Sequence, residues 1–310
     1  MPVHPSTETP TPGQIDLGEL GVGTWAWGDR AIWRYGRDYG EADVHAAFEA
    51  AAAAGVRLFD TAEIYGGGES ERLVGRFVRQ SRRPVLVASK FFPYPWRVLL
   101  RGSLLAALRA SLDRLGLARV DLYQIHWPLL LLNTVWADEL AEAVHAGLVS
   151  HVGVSNFGVR DLRRMQRALD RRGVRIVSNQ VHYSLLHRAP EHDGVLETCR
   201  AMGVRLIAYS PLEMGLLGGR YSPQHQPPWR RRIPSLRVLR RAWHVLPVVR
   251  ELGARHGRTP AQVALNWLIC HGAVPIPGAK SAEQARQNAG ALGWRLDPDE
   301  VAQLDRAAAD

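Results

Sequence analysis

Residues 56–80 read VRLFDTAEIYGGGESERLVGRFVRQ. The apolar run VRLF has strand character and stops at Asp60. A polar loop follows, carries Tyr65 and closes on three consecutive glycines, Gly66, Gly67 and Gly68. The next segment, ESERLVGRFVRQ, sets Leu73, Val74, Phe77 and Val78 at the i, i+1, i+4, i+5 spacing of one helix face. A strand, a turn and an amphipathic helix therefore follow one another without a break. What this unit means for the fold depends on whether the chain repeats it.

The chain repeats it nearly throughout. Further strand-like runs are GVGTW (21–25), VLVAS (85–89), VDLYQI (120–125), HVGVS (151–155), IVSNQ (176–180), VRLIAY (204–209) and AVPIP (273–277). Helix-period sequence follows each one. RGSLLAALRASLDRLG ends on Gly116, as helix C-termini often do. TPAQVALNWLICHG opens on Thr-Pro, a cap and first-turn pair. The strands are near-continuous apolar runs rather than alternating ones, as in parallel sheets covered on both faces. Eight such units in 310 residues favour an α/β fold of the (β/α)₈ TIM-barrel type over a doubly wound sheet. The expected organisation is a disordered tail over residues 1–13 and one barrel domain over 14–310. Two intervals are long, 26–40 and 210–244. Both follow strands, and barrel enzymes build their sites from the loops at the C-terminal rim.

Composition narrows the function class. Hydrophobic residues make up 46% of the chain and charged residues 22%, the balance of a soluble globular protein. The apolar run LLLL at 129–132, like every other in the chain, falls far short of the roughly 20 residues that cross a bilayer. The first residues carry no basic-then-apolar leader pattern. Cys199 and Cys270 form no metal-ligand spacing, so a cytoplasmic protein with reduced thiols and no metal is expected. The net charge of +9 raises nucleic acid as a partner. The arginines, however, are spread along the helices, and the one dense run, WRRRIPSLRVLRR (229–241), lacks any nucleic-acid-binding frame. Of the 39 basic residues only Lys90 and Lys280 are lysine. Lysine differs from arginine as a compact charge with an adjustable pKa, so both positions draw attention.

The polar residues at the strand ends suggest chemistry. Asp60 ends the second strand and Tyr65 follows it, Lys90 ends the third and His126 ends the fourth. In a barrel all four converge at one rim. A tyrosine near pKa 10 is a poor acid at neutral pH, and a neighbouring ammonium favours its phenolate. Asp60 can hold Lys90 charged, and His126 can orient a substrate oxygen. General acid catalysis on a carbonyl follows. Taken singly, each residue also has a structural reading: loop tyrosine, packed histidine, ion-paired lysine, loop-capping aspartate. Ser155, Asn156, Asn179, Gln180, Tyr209 and Ser210 end the later strands. They suit a carboxamide and a flat ring, or they satisfy each other. Lys280 stands just ahead of a helix start, a phosphate-binding arrangement. No complete Gly-x-Gly-x-x-Gly dinucleotide fingerprint is present; GVGTWAWG (21–28) lacks the third glycine.

Several of these segments together resemble the aldo-keto reductase superfamily, and its bacterial and plastid branch in particular. They are FDTAEIYGGGESERLVGR, SK (89–90), QIHWP (124–128), GVSNFG (153–158), NQVHYSLLHR (179–188), AYSPLEMGLLGG (208–219) and IPGAKSAEQARQN (276–288). The resemblance spans nearly the whole chain beyond the tail, in order. It implies a barrel that binds NADPH in extended form and reduces aldehydes or ketones. Tyr65 would be the proton donor, Asp60 and Lys90 would lower its pKa, and His126 would orient the carbonyl. Ser155, Asn156 and Gln180 would hold the nicotinamide amide, with Tyr209 stacked on the ring and Thr24 and Trp25 lining the site beside it. Ser210, Pro211 and Leu212 would run along the pyrophosphate. Gly278, Lys280, Gln284, Gln287 and Asn288 would enclose the adenosine end. Gln284 stands where many relatives have an arginine for the 2′-phosphate. Lys280 can take that role, which favours NADPH over NADH. Trp27, Phe91, Phe92 and Trp127 suggest an apolar or aromatic carbonyl substrate, with core packing as the other reading. The 220–244 segment departs from the pattern and is expected to form a lid or substrate wall. The same resemblance admits an NADP-binding regulatory subunit with weak or no turnover, like the potassium-channel β-subunits. A Schiff-base lyase using Lys90 is a third reading, and pairing with Asp60 argues against it.

Overall fold

A computed structural model describes residues 15–129, 134–219, 221 and 236–309. The expected tail over 1–13, most of the LLLL run and most of the 220–244 segment lie outside the described residues. Eight strands form one parallel sheet in sequential order: β1 (Gly21–Gly23), β2 (Leu58–Asp60), β3 (Leu86–Phe91), β4 (Val120–Ile125), β5 (Val149–Ser155), β6 (Ile176–His182), β7 (Arg205–Tyr209) and β8 (Val274–Pro275). The Gly23 N–H donates to the Pro277 carbonyl at 3.2 Å, and Gly23 bridges Gly278 in parallel. This contact brings the end of β8 back to β1, as a (β/α)₈ barrel requires. β8 is shorter than its sequence run because Pro275 and Pro277 have no N–H to give the ladder.

The crossover helices are α1 (Glu41–Ala53), α2 (Glu69–Gln80), α3 (Ser103–Leu115), α4 (Ala137–His145), α5 (Val159–Asp170), α6 (Ala189–His192) and α7 (Val195–Met202). They continue as α8 (Leu236–His256), α9 (Pro260–Cys270), α10 (Ala282–Ala289) and α11 (Pro298–Ala307). The end signals read from the sequence act as expected. The Thr259 side chain accepts from the Gln262 N–H ahead of α9, and Gly116 ends α3 in the left-handed region. Among the described residues no helix is long and apolar enough to cross a membrane.

The apolar residues divide into two clusters, which is why the strands read as continuous runs. Outside the sheet, Phe59, Phe77, Phe91 and many aliphatic side chains pack under the helices. Inside it, Leu58, Ala88, Leu122, Ile207 and Val274 fill the barrel, with Ile15 and Leu17 in the same cluster. Strand side chains alternate between the two faces. Leu58 is inside, so Asp60 is too; Ala88 and Leu122 are inside, so Lys90 and Gln124 are too. The parallel register sets Lys90 opposite Gln124 and Ser155 opposite Gln180. The polar layer therefore lies directly above the apolar plug, at the C-terminal rim.

α2 and α3 meet without room for a methyl group. A Cβ on Gly75 would lie 1.9 Å from the Leu115 carbonyl oxygen. Glycine to alanine inside a helix normally stabilises by about 1 kcal/mol. Here Gly75→Ala is expected to destabilise by about 1–3 kcal/mol through overpacking. The check is a lower urea midpoint at unchanged m-value.

Candidate active site

The loop after β2 folds Tyr65 over the barrel mouth. Gly66, Gly67 and Gly68 all have positive φ, 57°, 65° and 90°. A side chain is disfavoured there, and glycine lets the chain reverse into α2. Beneath Tyr65, Lys90 is fully buried and Asp60 nearly so. The Lys90 ammonium pairs with the Asp60 carboxylate, donates to the Thr61 carbonyl at 2.8 Å, and stands 3.4 Å from the Tyr65 hydroxyl. The second Asp60 oxygen accepts from Gln124 Nε2 at 3.1 Å and Gln180 Nε2 at 2.8 Å. His126 faces Tyr65 edge to face, ring centroids 5.8 Å apart.

The electrostatics differ in one respect from the sequence expectation. Burial raises the Tyr65 pKa above its usual 10.0; the Lys90 charge pulls it back, and Asp60 pushes it up again. The net direction is upward, because desolvation of a phenolate outweighs the ammonium beside it. Asp60 thus acts on Tyr65 against the expected sense. Burial disfavours the Lys90 charge, but Asp60 and then Tyr65 more than offset this, and its pKa stands above 10.5. Burial, and then Lys90, lower His126 to about 3. Its imidazole is neutral, and its buried Nδ1 has no hydrogen-bond partner.

Asp60, Tyr65 and His126 floor a cleft of about 510 Å³, within the size range of small-molecule sites. From Tyr65 and His126 it runs past Ser155, Asn156 and Gln180, then beside Tyr209, Pro211 and Leu212, to Gly278 and Lys280. Trp25, Ser210, Gln284, Gln287 and Asn288 also line it. The polar cluster in its middle is internally bonded. Ser155 Oγ donates to the Gln180 carbonyl at 2.8 Å. Asn156 Nδ2 donates to the His126 carbonyl and to Ser155 Oγ, each at 3.1 Å, and Asn156 Oδ1 accepts from the Tyr209 hydroxyl at 3.0 Å. Gln180 Nε2 donates to Asp60 and, at 3.4 Å, to Gln124. The amide donors are thereby used, and the capacity left on Gln180 Oε1 and Asn156 Oδ1 is acceptor capacity. Such a cluster is matched to a ligand that offers an N–H. Asn156, Ser210, Glu213 and Met214 have left-handed backbones, with φ from 47° to 62°. This strain is concentrated in the loops after β5 and β7 that line the cleft.

At the far end, Ser281 caps α10 by accepting from the Gln284 N–H at 3.3 Å. Gln284 Oε1 in turn accepts from the Lys280 N–H at 2.9 Å, and Asn288 Nδ2 donates to the Gly278 carbonyl at 3.3 Å.

The sequence model of the Aldo/keto reductase family matches residues 19–309. The chain belongs to the aldo/keto reductase family. Among similar proteins is the chloroplastic pyridoxal reductase of Arabidopsis thaliana, 41% identical over 96% of this chain and 84% of that protein. The methylglyoxal reductase YeaE of Escherichia coli is 31% identical over 95% of this chain and 92% of its own length. Among solved structures, an aldo/keto reductase from Klebsiella pneumoniae in complex with NADP and acetate is 29% identical, with a TM-score of 0.75 over 96% of this chain and 95% of that one. The glycerol dehydrogenase of Gluconobacter oxydans gives a TM-score of 0.81 at 25% identity, over 96% of this chain and 93% of its own. This chain is therefore an oxidoreductase of carbonyl compounds that works with a nicotinamide cofactor.

Within the reductase, one expected lining residue faces elsewhere. Thr24 is fully buried, and its hydroxyl donates to the Asp60 carbonyl at 2.9 Å and meets Ser70 Oγ at 2.7 Å. It ties β1 to the Asp60 turn instead of facing the cleft. Trp27 and Phe91 are core residues; Trp127 lines the cleft, and Phe92 packs on His126 at 5.6 Å between ring centroids. Sequence reading missed Gln124, although a glutamine in the apolar run VDLYQI signals a buried polar position. It also missed Asp29 and Trp33, which reach the cleft from the loop after β1.

Proposed function

We propose that this reductase uses NADPH to reduce an aldehyde on a flat aromatic ring, with Tyr65 as the proton donor. The observation that carries this reading is the Tyr65 hydroxyl 3.4 Å from a buried, Asp60-paired ammonium at the floor of a cleft that His126 also lines. NADPH, when bound along the cleft, supplies the hydride. The rest of the chemistry belongs to the chain. Burial keeps Tyr65 protonated, so a proton is at hand for the carbonyl oxygen. Lys90 stabilises the phenolate left behind, and Asp60 keeps Lys90 charged. Neutral His126 supplies a hydrogen-bonding edge that orients the carbonyl without competing as an acid. Gln180 and Asn156 offer acceptors to the nicotinamide carboxamide, and Tyr209 offers its ring. Ser210, Pro211 and Leu212 would border the pyrophosphate. Lys280 and the α10 N-terminus would meet the 2′-phosphate, while Gln284, Gln287 and Asn288 would enclose the adenosine. Among the described lining residues Lys280 is the one cation at that end, which favours NADPH over NADH.

Trp25, His126 and Trp127 suit a planar substrate, and the 41% identity to a pyridoxal reductase makes pyridoxal the first compound to assay. Purified protein is expected to consume NADPH with pyridoxal at a higher kcat/KM than with methylglyoxal. No turnover with any member of an aldehyde and ketone panel would sink the reading. The pH profile is a second check. His126, near 3, adds no bend above about pH 5, and Tyr65 ionises only above 10.0. The reduction kcat is therefore expected to be level between about pH 6 and about pH 9 and to fall as Tyr65 loses its proton. A bend near pH 6.5 would assign His126 a charged role instead.

A further inference from the structure

We propose that Trp33 and Tyr39 are positioning residues that hold the Lys280 ammonium ready for a cofactor 2′-phosphate, and so set the preference for NADPH. The inference rests on the cofactor reading above. Lys280 Nζ lies 5.5 Å from the Trp33 ring centroid and 4.9 Å from that of Tyr39. Both distances fall within the roughly 6 Å over which a ring face attracts a cation. A ring attracts the charge without neutralising it, whereas a carboxylate in the same place would compete with the phosphate for the same N–H donors. Among the described lining residues Lys280 is the only lysine or arginine of the cleft. Gln284 is neutral and turns its carbonyl oxygen back to the Lys280 N–H. Among the described residues, charge recognition at this end therefore depends on where the Lys280 side chain sits.

The loop after β1 is built to fix that place. The Tyr39 hydroxyl donates to the Ala26 carbonyl at 2.5 Å, and its ring meets Tyr35 edge to face at 5.8 Å. The Trp33 N–H donates to Asp29 Oδ1 at 2.9 Å, and the Trp33 ring packs edge-on against Trp25 at 5.7 Å. Trp27 Nε1 donates to the Ala279 carbonyl at 2.8 Å, which fastens the loop to the residue before Lys280. The loop runs on into α1, and α1 packs on α10, the helix that Lys280 precedes. The long 26–40 interval thus acquires a task that its sequence did not disclose.

The test is a double-mutant cycle on the full-length protein, with Kd for NADPH and NADH read from fluorescence. In the Trp33→Leu/Tyr39→Leu variant, NADPH is expected to bind about tenfold more weakly, and the NADPH-to-NADH affinity ratio to fall with it. In a Lys280→Met background the same pair of changes should leave that ratio unaltered. Trp33→Phe/Tyr39→Phe keeps the ring faces and should restore most of it. An equal loss for both cofactors, or the same loss in the Lys280→Met background, would overturn the proposal and make the rings mere packing. A wild type that binds neither dinucleotide would overturn the cofactor reading as well, a pattern distinct from failure of the rings alone.

Discussion

Tyr65→Phe is expected to lower the reduction kcat by about 10²- to 10⁴-fold while NADPH affinity stays within about twofold of wild type. The substitution removes one oxygen and no packing. The ring keeps its edge-to-face contact with His126. Lys90 loses the hydroxyl at 3.4 Å but keeps Asp60 and the Thr61 carbonyl at 2.8 Å, so no buried charge is left alone and the fold has no reason to change. On the proposed reading, what disappears is the proton for the developing alkoxide. The defect should therefore appear in single-turnover reduction rather than in cofactor titration or in the unfolding midpoint. Full activity in this variant would remove Tyr65 from the chemistry, and a parallel fall in cofactor affinity would make it a binding residue.

The site was legible in the sequence to the extent that strand periodicity and register determine it. Asp60, Lys90 and His126 close apolar runs, and a parallel barrel leaves strand ends at one rim. Their convergence thus follows from the strand pattern alone. The same alternation makes Gln124 an interior residue, but only once Lys90 and Leu122 are known to face inward. Thr24 was misplaced although alternation puts it outside: Val22 packs outside the sheet, so Thr24 two residues on points the same way, toward the Asp60 carbonyl and Ser70. The direction of the Tyr65 pKa was not legible at all. A sequence reveals that an ammonium is near; it does not reveal how dry the phenol is, and burial is the larger effect. The Trp33, Tyr39 and Lys280 cluster was hidden for another reason. It joins residues at opposite ends of the chain across the seam where β8 returns to β1, and no local pattern encodes that seam.

Lys90→Met should be the most damaging single change for the molecule as a whole. It is expected to cost about 3–5 kcal/mol of stability, the usual result of removing one partner from a buried ion pair. Gln124 and Gln180 would still donate to Asp60 Oδ2, but Oδ1 would lose its cation in a site closed to water. Reduction should also fall by about 10²-fold or more, because the phenolate formed at Tyr65 would have no adjacent positive charge. The companion variant Asp60→Asn/Lys90→Met separates the two losses. Removing both charges leaves neither ion uncompensated, so most of the stability should return, whereas the reduction rate should not. Alkaline titration gives an independent reading. Lys90 stands above 10.5 in the folded protein, so its contribution is complete below that pH and is lost as pH rises through the folded value. Tyr65, raised above 10.0, acts in the same sense. Wild-type stability should therefore decline steeply above about pH 10.5, and Lys90→Met should decline less over the same interval. Equal slopes in the two proteins would mean that the buried lysine is not the group that couples folding to alkaline pH. Recovery of reduction in the doubly neutral variant would mean that its charge is not what Tyr65 requires.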